Sequence, residues 1–552
     1  MPETVTVAVA IGRTLAHLGI AHIFGVVGSG NFHATNALID GGVPFTAARH
    51  EMGATCMADA YARATGKPVV VSLHQGCGLT NAFTGIGEAA KCRTPILVIS
   101  GDTPGYATTS NFWIDQDRAV EAIGATAERI HRGATAIDDS YRAYVRCVID
   151  RRTVVLSMPI DLQEELIEWD DSLVPPLPEK LAAGPSPESV TRLADALAGA
   201  DRPVIVGGRG AWGAVPELLE LARASRALLT TSAAGRGLFH TDPWHLDVMG
   251  GFATDGAAEL IEEADLIVAF GAALNRWTTR AGHLLRDKTV IQVDDTREAI
   301  GRHHPVDLGV LGDAAIVAAA VTAELDRRGG IPGAGYRTLA TATRVADSLD
   351  WGDQPYSDQS DESHIDPRAL TNALDDMLPM ERIVVPDGGN FNAYPAMLFR
   401  VPDQQGYCVP LAFQSIGLAL SSGIGAGVAF PERMPIVGVG DGGFMMTHVE
   451  LDTAVRLGMG MVVVVYNDSA YGAEVQHFKF TTDQLDTVTF PETDIAAIAR
   501  GYGCEAITAR RVEDLAAVET WLAGPRNRPL VIDAKTAAFP SWVMSHAAEV
   551  GG

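Results

Sequence analysis

The stretch IVGVGDGG, residues 436–443, predicts a buried strand that runs directly into a glycine turn. A second apolar strand, VVVVYND at residues 462–468, follows after one helical segment. Strands that alternate with helices indicate a parallel sheet, in which neighbouring strands end at the same edge. Asp441 and Asp468, 27 positions apart, are therefore expected to meet at one crevice.

This crevice has the chemistry of a site for phosphate and a divalent cation. Backbone N–H groups at the turn, at Gly440, Gly442 and Gly443, attract phosphate and allow its close approach. Mg²⁺ prefers hard oxygen ligands, so it would use the two carboxylates, a backbone carbonyl and phosphate oxygens. The alternative is that the Gly-Asp-Gly-Gly segment is an ordinary turn that binds no ligand. The next residues, THVE at 447–450, are typical of a capping box that opens the following helix.

The chain of 552 residues needs more than one core, and three α/β blocks are visible. We expect three doubly wound parallel-sheet domains at residues 1–172, 188–328 and 365–552. Polar, Pro- or Gly-rich linkers are expected between them. The central block is Rossmann-like, but its GGRG turn at residues 207–210 is not a complete dinucleotide fingerprint. FAD in this block is compatible with the pattern and is not supported by it.

The composition excludes several functions. A net charge of −26 opposes binding to nucleic acid or to an anionic membrane. Six scattered cysteines lack metal or disulfide spacing, which favours a reducing, cytoplasmic location. The apolar stretch near the N-terminus is interrupted by Arg13, His17 and His22, so neither a targeting segment nor a membrane span is expected.

The run from Gly-Asp-Gly through a helix and a strand to Asn467-Asp468 resembles the signature of thiamine-diphosphate-dependent enzymes. The resemblance covers nearly the whole chain and implies thiamine diphosphate and Mg²⁺ as cofactors. It implies Asp441, Asp468 and the carbonyl of Ala470 as metal ligands. The family usually has Asn where this chain has Asp468, so Asn467 stays open as the alternative ligand. The nearest patterns are acetohydroxyacid synthase, benzoylformate decarboxylase and benzaldehyde lyase.

The same resemblance implies further contacts with the cofactor. Glu51, in the sequence RHEMGA at residues 49–54, falls where the family has the glutamate that activates the aminopyrimidine ring. Ile416 is the candidate wedge that bends the cofactor, and the Gln414 carbonyl is the candidate acceptor beside it. Asn390 and Tyr471 complete the predicted cofactor-binding residues. The structural alternatives are a glutamate favoured at a helix start and an ordinary core isoleucine.

Three residues bear on the reaction. His74 and Ser29 fall where benzoylformate decarboxylase has a histidine and a serine, and Glu474 aligns with a catalytic glutamate of pyruvate decarboxylase. The resemblance implies decarboxylation of a 2-oxo acid to an enamine. The enamine is then protonated by a decarboxylase or captured by a second carbonyl compound, as in an acetolactate synthase-like carboligase. A core histidine and a surface acid are the alternatives for His74 and Glu474.

Other functions stay open. A 2-hydroxy ketone or 2-hydroxyacyl lyase would use the same site. An FAD- or nicotinamide-dependent oxidoreductase would leave Glu51 and Asp441 unexplained, and a catalytically silent scaffold would be expected to lack Glu51. The predicted partners are small molecules, namely a 2-oxo acid with an aldehyde or a second 2-oxo acid. Because the family builds each site from two subunits, a homodimer or homotetramer is expected.

Overall fold

The computed structural model describes residues 3–179 and 181–541. Residues 1–2 and 542–552, at the outer ends of the first and last predicted domains, and residue 180 lie outside the described residues. Three separate parallel sheets with helices packed on them confirm the predicted α/β class with three doubly wound domains.

The N-terminal domain has a six-stranded parallel sheet in the order β3-β2-β4-β5-β7-β6, and β1 pairs antiparallel with β8 beside it. Its strands are β1 (Glu3–Thr6), β2 (Ile23–Gly25), β3 (Phe45–Ala47), β4 (Val69–Leu73), β5 (Ile96–Asp102), β6 (Thr126–Arg129), β7 (Val154–Pro159) and β8 (Leu166–Trp169). Its helices are α1 (Val7–His17), α2 (Phe32–Asp40), α3 (Glu51–Thr65), α4 (Cys77–Asn81), α5 (Phe83–Lys91), α6 (Gln116–Ala122), α7 (Ala136–Val148) and α8 (Ile160–Gln163).

The central domain has a second six-stranded parallel sheet, in the order β11-β10-β9-β12-β13-β14. Its elements are α9 (Pro187–Gly199), β9 (Pro203–Gly207), α10 (Val215–Ser225), β10 (Leu228–Thr231), β11 (His245–Val248), α11 (Asp255–Glu262), β12 (Leu266–Phe270), β13 (Thr289–Asp294), β14 (Leu308–Leu311) and α12 (Ala314–Arg327). The stretch predicted as the second linker also contains α13 (Leu339–Ser348). That helix is bound to the central domain, because Arg344 pairs with Glu263 and the Tyr336 hydroxyl donates to the carbonyl of Leu260.

The C-terminal domain has a five-stranded parallel sheet, in the order β15-β16-β17-β19-β18. Its elements are α14 (Pro367–Met377), β15 (Arg382–Pro386), α15 (Ala393–Leu398), α16 (Ala419–Ala429), β16 (Met434–Gly440), α17 (Asp441–Thr447), α18 (Leu451–Arg456), β17 (Val462–Asn467), α19 (Gly472–Phe478), α20 (Ile495–Gly501), β18 (Glu505–Ala509), α21 (Ala516–Ala523) and β19 (Leu530–Lys535). The two strands that open the sequence argument are β16 and β17, and they are hydrogen-bonded neighbours.

The first and third domains share one apolar core, which contains residues from both sheets and from α3 and α16. These two helices cross at close range. A Cβ at Gly425 of α16 would overlap the backbone of Met57 in α3, so only glycine allows this approach. The crossing fixes the N-terminal domain against the C-terminal domain within one chain. Over the residues that the structure describes, no helix is both long enough and apolar enough to cross a membrane.

Candidate active site

Asp441 and Asp468 lie at the carboxyl ends of adjacent parallel strands, as the sequence predicts. Asp441 directly follows β16, and Asp468 directly follows β17, whose register pairs Gly440 with Tyr466. Asp441 is buried and Asp468 is partly exposed, and within residues 3–179 and 181–541 neither carboxylate forms a salt bridge with Arg, Lys or His. Two neighbouring, largely desolvated carboxylates without a paired cation form an electrostatically unfavourable arrangement that a divalent cation would relieve.

The pKa values of both aspartates reflect this environment. Burial raises the pKa of Asp441 to about 6, although backbone N–H groups and the charge of Lys535 act against the rise. Burial and then the charge of Asp441 raise the pKa of Asp468 to about 7. The charge of one aspartate therefore acts on the other, which places the two carboxylates in one electrostatic site.

Asn467 and Asp468, the two candidate ligands at the end of β17, have side chains that contact different partners. The Asn467 amide donates to Asp533 Oδ1 at 2.8 Å, and its oxygen accepts from the N–H of Ser469 at 3.1 Å. Both ends of the Asn467 side chain are thus engaged inside the C-terminal domain. The Asp468 carboxylate instead lies against Gly472, and the backbone N–H of Ala470 acts to lower its pKa.

Segment 488–490 holds the loop that carries Ala470. The N–H of Tyr471 donates to the carbonyl of Val488, and the N–H of Phe490 donates to the carbonyl of Ser469. Because these bonds flank the Ala470–Thr489 bridge, the polar groups of Ala470 itself point away from Thr489. The N–H of Ala470 already reaches the Asp468 carboxylate, so its carbonyl is directed to the same side.

The glycine turn accepts close contacts that larger residues would prevent. A Cβ at Gly442 would overlap the Tyr471 ring, and a Cβ at Gly440 would crowd the Phe391 ring. A Cβ at Gly443 would collide with the Asp387 carboxylate. The predicted capping box at Thr447 and Glu450 is wrong, because no side chain caps that position and the Glu450 carboxylate binds backbone in the N-terminal domain.

Sequence reasoning did not identify Asp387, a third aspartate at a neighbouring strand end. It follows β15, is fully buried, and accepts hydrogen bonds from the N–H groups of Gly417 at 2.6 Å and Leu418 at 3.2 Å. Burial raises the pKa of Asp387 to about 7, and the backbone donors act against that rise. The sequence signal was present, since the PDGG run at residues 386–389 repeats the strand–Asp–Gly pattern of the turn at 440–443.

Asp387 fixes the loop that carries two predicted cofactor residues. Gln414 has a positive φ of 60°, and its amide donates to the carbonyl of Leu411 at 2.5 Å. Ile416 is partly buried, and its side chain lies beside Gly388. The structure therefore brings Gln414 and Ile416 to the strand edge that also carries the glycine turn.

Asn390 has a different local task. Its amide donates to the carbonyl of Phe539 at 2.9 Å, and its oxygen accepts from the N–H of Ser541 at 2.9 Å. Its Cβ also lies close to Gly472, next to Asp468. Asn390 thus clamps the segment near residue 540 over the edge where the two aspartates lie.

A second group of predicted residues forms in the N-terminal domain. Glu51 is the first residue of α3, and its Oε2 accepts a hydrogen bond from the Asn81 amide at 3.0 Å. Its Oε1 lies beside Gly78, which also contacts the side chain of His74. His74 follows β4 directly. Glu51 and His74 therefore face the same space.

His74 lies under the turn that carries Ser29. The N–H of Gly30 donates to His74 Nδ1 at 3.3 Å, and Gly28 packs on the imidazole ring. Phe112 contacts the ring edge-on at 5.3 Å between centroids. Burial lowers the pKa of His74, and the Glu51 charge acts in the opposite direction. Because Nδ1 accepts a hydrogen bond, the neutral ring carries its proton on Nε2.

Two predicted catalytic side chains are exposed. Ser29 lies at the tip of its glycine turn, and Glu474 lies in the first turn of α19, one turn after Tyr471. Glu474 is exposed in the single chain. Among the described residues, its only connection with the aspartate pair is that α19 follows the loop that carries Asp468. In the described part of the chain, no hydrogen bond or salt bridge joins Glu51 or His74 to Asp441 or Asp468.

Three family models match the chain in the order of its three sheets. The N-terminal TPP binding domain of thiamine pyrophosphate enzymes matches residues 5–121, their central domain matches 190–321, and their C-terminal TPP binding domain matches 387–534. The chain belongs to the thiamine pyrophosphate enzymes. Both half-sites described above lie within or at the edge of the two cofactor-binding domains, which indicates thiamine diphosphate as the cofactor.

Several thiamine pyrophosphate enzymes resemble the chain over almost its full length. A probable 2-ketoarginine decarboxylase of Pseudomonas aeruginosa is 29% identical, over 94% of this chain and 91% of the relative. A sulfoacetaldehyde acetyltransferase of Castellaniella defragrans is 26% identical, over 93% and 90%. A probable acetolactate synthase large subunit of Methanocaldococcus jannaschii is 26% identical, over 90% and 86%. The reaction type differs among these relatives.

The described residues fit the group that the family implies. The glycine turn can accept a diphosphate without steric hindrance from a Cβ, and the paired aspartates offer hard oxygen ligands. No set of three or more Asp, Glu, His or Cys side chains among residues 3–179 and 181–541 could hold a metal ion. A cation at Asp441 and Asp468 would thus take its other ligands from backbone and diphosphate oxygens.

In the central domain of this thiamine pyrophosphate enzyme, close packing accounts for the glycines of the turn at residues 207–210. Gly208 and Gly210 both press against the backbone of Gly271, where a Cβ on either residue would overlap it. The glycine turn thus closes onto the end of β12. FAD is not needed to account for this turn.

Proposed function

We propose that the protein catalyses carbon–carbon bond chemistry on 2-oxo acids with thiamine diphosphate and Mg²⁺. A decarboxylation is followed either by protonation or by transfer to a second carbonyl compound. The observation that carries the proposal is the pair Asp441 and Asp468, which lie in one electrostatic site at adjacent strand ends of the C-terminal cofactor-binding domain. The names of the relatives point to decarboxylation, acetyl transfer and acetolactate formation, which fit this scheme.

Asp441, Asp468 and the carbonyl of Ala470 are the proposed Mg²⁺ ligands. Asp468 is preferred to Asn467 because both ends of the Asn467 amide are occupied by Asp533 and Ser469. The turn with Gly440, Gly442 and Gly443 would hold the diphosphate, with the Tyr471 ring against Gly442.

When bound, thiamine diphosphate supplies a carbon nucleophile for the substrate carbonyl and an electron sink that keeps the electron pair when CO₂ leaves. Glu51 would bind the aminopyrimidine ring through Oε1, because Asn81 occupies Oε2. Gln414 and Ile416 would hold the cofactor in its bent form. Asp387 stabilises their loop by accepting hydrogen bonds from the N–H groups of Gly417 and Leu418, which follow Ile416.

His74 is the proposed proton carrier for the substrate. At neutral pH its ring is uncharged, because burial lowers its pKa, and the Nε2 proton is available to a substrate oxygen. Ser29, exposed beside it, would donate to the substrate carboxylate. Glu474 would act on the substrate from the C-terminal half of a complete site.

A complete site would need two chains. Within the described residues of one chain, no hydrogen bond or salt bridge joins Glu51 or His74 to Asp441 or Asp468, and each group is bordered by exposed apolar side chains. These are Phe112, whose ring contacts His74, with Trp113 next to it in sequence, and Met445 and Met446 of α17, shortly after the glycine turn. Exposed apolar surface of this kind is typical of protein interfaces, so a homodimer or a homotetramer is proposed.

Turnover by the purified protein tests the proposal. Thiamine diphosphate and Mg²⁺ would be added with pyruvate, 2-ketoarginine or an aromatic 2-oxo acid, alone and with an aldehyde such as sulfoacetaldehyde. Release of CO₂ and the carbon product would be followed, with Glu51→Gln as the matched control. Release of CO₂ that is lost in the control is expected. Cleavage of 2-hydroxy ketones without turnover of any 2-oxo acid would replace the proposal with a lyase.

A further inference from the structure

Two buried glutamates outside the proposed site link the N- and C-terminal domains. Glu88 and Glu450 are each 1% exposed. Each carboxylate crosses the domain boundary to accept hydrogen bonds from backbone N–H groups of the other domain. Neither residue contacts substrate or cofactor positions in the proposed function, so their burial needs another explanation.

Glu450 binds the backbone immediately before Glu51. Its carboxylate accepts from the N–H of Arg49 at 3.0 Å and from the N–H of His50 at 2.9 Å. The hydroxyl of Thr453 donates to the same carboxylate at 2.6 Å and orients it. These bonds join positions 400 residues apart in the chain. Charged acceptors make the stronger hydrogen bonds, and an N–H group left unpaired in a buried place is costly.

Gly53 makes this contact sterically feasible. A Cβ at Gly53 would overlap the Glu450 carboxylate, so the first turn of α3 has to be open on that side. Glycine is unfavourable inside a helix, which indicates that the open space serves the contact. Two outer bonds support the same segment: Arg49 pairs with Asp452, and Arg456 donates to the carbonyl of Ala47.

Glu88 makes the reciprocal contact. Its carboxylate accepts from the N–H of Ala412 at 3.0 Å and from the N–H of Phe413 at 2.6 Å, directly before Gln414. Arg63, itself buried, pairs with Glu88 at 2.7 Å and holds it in place. The N-terminal domain thus fixes the start of the cofactor loop of the C-terminal domain, while the C-terminal domain fixes the start of α3.

We propose that Glu450 is a positioning residue for Glu51, and that Glu88 is its counterpart for the loop with Gln414 and Ile416. Glu450 aims the Glu51 carboxylate by holding the two preceding N–H groups. Loss of the Glu450 carboxylate would slow the activation of the cofactor more than it would weaken cofactor binding. This inference rests on the proposed function, because it assigns a structural cause to the activating role of Glu51.

The decisive variants are Glu450→Ala and Gly53→Ala. Alanine at 450 removes the oxygens that accept from the Arg49 and His50 N–H groups, and alanine at 53 displaces the carboxylate. Asp452→Asn is the matched control, since Asp452 binds the Arg49 guanidinium but not the backbone before Glu51. For the apo proteins, hydrogen exchange of the Arg49 and His50 amides would be measured. For the loaded proteins, exchange of the cofactor C2 proton with deuterated solvent and the affinity for thiamine diphosphate would be measured.

Both decisive variants should lose amide protection at residues 49 and 50. They should also slow C2 exchange at least tenfold, while cofactor affinity changes less than threefold. Asp452→Asn should match the wild type in all three. C2 exchange at the wild-type rate in a variant that has lost amide protection would overturn the inference, as would an equal loss in Asp452→Asn. Should Glu450→Ala fail to fold, Gly53→Ala decides alone, because alanine is the better helix former.

The wild type separates this inference from the proposed function. A wild-type protein that neither binds thiamine diphosphate nor exchanges its C2 proton would refute the proposed function and, with it, the positioning role. A wild type that exchanges C2, together with variants that do so equally fast, would refute only the role of Glu450.

Discussion

The Asp441 charge acts on Asp468 across two adjacent strand ends, and burial together with that charge raises the pKa of Asp468 to about 7. The pKa of Asp441 is itself about 6, mainly because of burial. In the unfolded chain both groups ionise near their usual value of 3.8. Ionising them in the folded protein therefore costs free energy of folding unless a cation is bound.

Asp468→Asn should stabilise the metal-free protein at pH 8 while it weakens Mg²⁺ binding. Because the pKa values of both aspartates are raised in the folded state, the stability that their neutral forms contribute is fully present near pH 4. It is lost as the pH rises through 6 and 7. Removing this charge should recover roughly 1–3 kcal/mol at pH 8, less than the full pKa shift of Asp468 implies, because the side chain is partly exposed and solvent screens it. Thermal unfolding in chelator between pH 5 and pH 8 measures this. Some pH dependence of stability should remain in the variant, because the pKa of Asp387 is also raised. A pH dependence steeper than that of the wild type would contradict the argument.

Glu51→Gln should abolish cofactor activation and leave the fold intact. The side chain lies at the start of α3, and its one described side-chain hydrogen bond, from Asn81, can be kept by the glutamine oxygen. Turnover and C2 proton exchange should fall roughly 10²- to 10⁴-fold, the usual contribution of a general acid–base group. The thermal midpoint of the apo protein should stay close to that of the wild type. Full activity in Glu51→Gln would remove Glu51 from the mechanism.

The sequence was sufficient for the features that depend on local pattern. Strand, glycine turn and helix follow each other closely, so the meeting of Asp441 and Asp468 was predictable from β16 and β17 alone. The joint placement of Glu51 and His74 follows the same rule, because parallel strands of one sheet end at one edge, although the sequence argument did not pair these two residues. The three-domain α/β fold followed from the same alternation.

Contacts between distant segments were not predictable. Thr447 to Glu450 has the residue types of a capping box, yet the Glu450 carboxylate serves two N–H groups 400 residues earlier. Nothing local to Glu450 shows that partner. The helix in the predicted second linker was missed for a related reason, since contacts with the central domain rather than its polar sequence stabilise α13.

His74→Leu should separate cofactor activation from substrate chemistry. Glu51 stays in place, so exchange of the C2 proton should be close to the wild-type rate. Turnover of 2-oxo acids should fall by roughly 10²-fold or more, because the ring no longer carries a proton on Nε2. The wild type should lose activity at acidic pH, where His74 is protonated, and burial, which lowers the pKa of His74, moves this loss to a lower pH than an ordinary histidine would give. Equal losses in C2 exchange and turnover would show that His74 acts only through the fold.

Asp387→Asn tests two opposing effects on the cofactor loop. The variant leaves one of two buried N–H groups, at Gly417 or Leu418, without an acceptor, which costs about 1–3 kcal/mol. It also removes a buried charge whose pKa is raised from 3.8 to about 7, a relief of about 4 kcal/mol above pH 7. At pH 8 the relief should win, and the variant should unfold at the same temperature as the wild type or higher.

At pH 5 the relief should shrink to roughly 1.5 kcal/mol, because Asp387 is protonated in the folded wild type while the unfolded chain still ionises it, so the lost hydrogen bond should cancel or outweigh the relief. Thermal unfolding of both apo proteins at the two pH values checks this change. Affinity for thiamine diphosphate should fall at both, since the loop with Ile416 loses one of its anchors. A variant less stable than the wild type at pH 8 by the same margin as at pH 5 would show that the Asp387 charge is not costly. Asp387 would then be a carboxylate that its backbone donors fully stabilise.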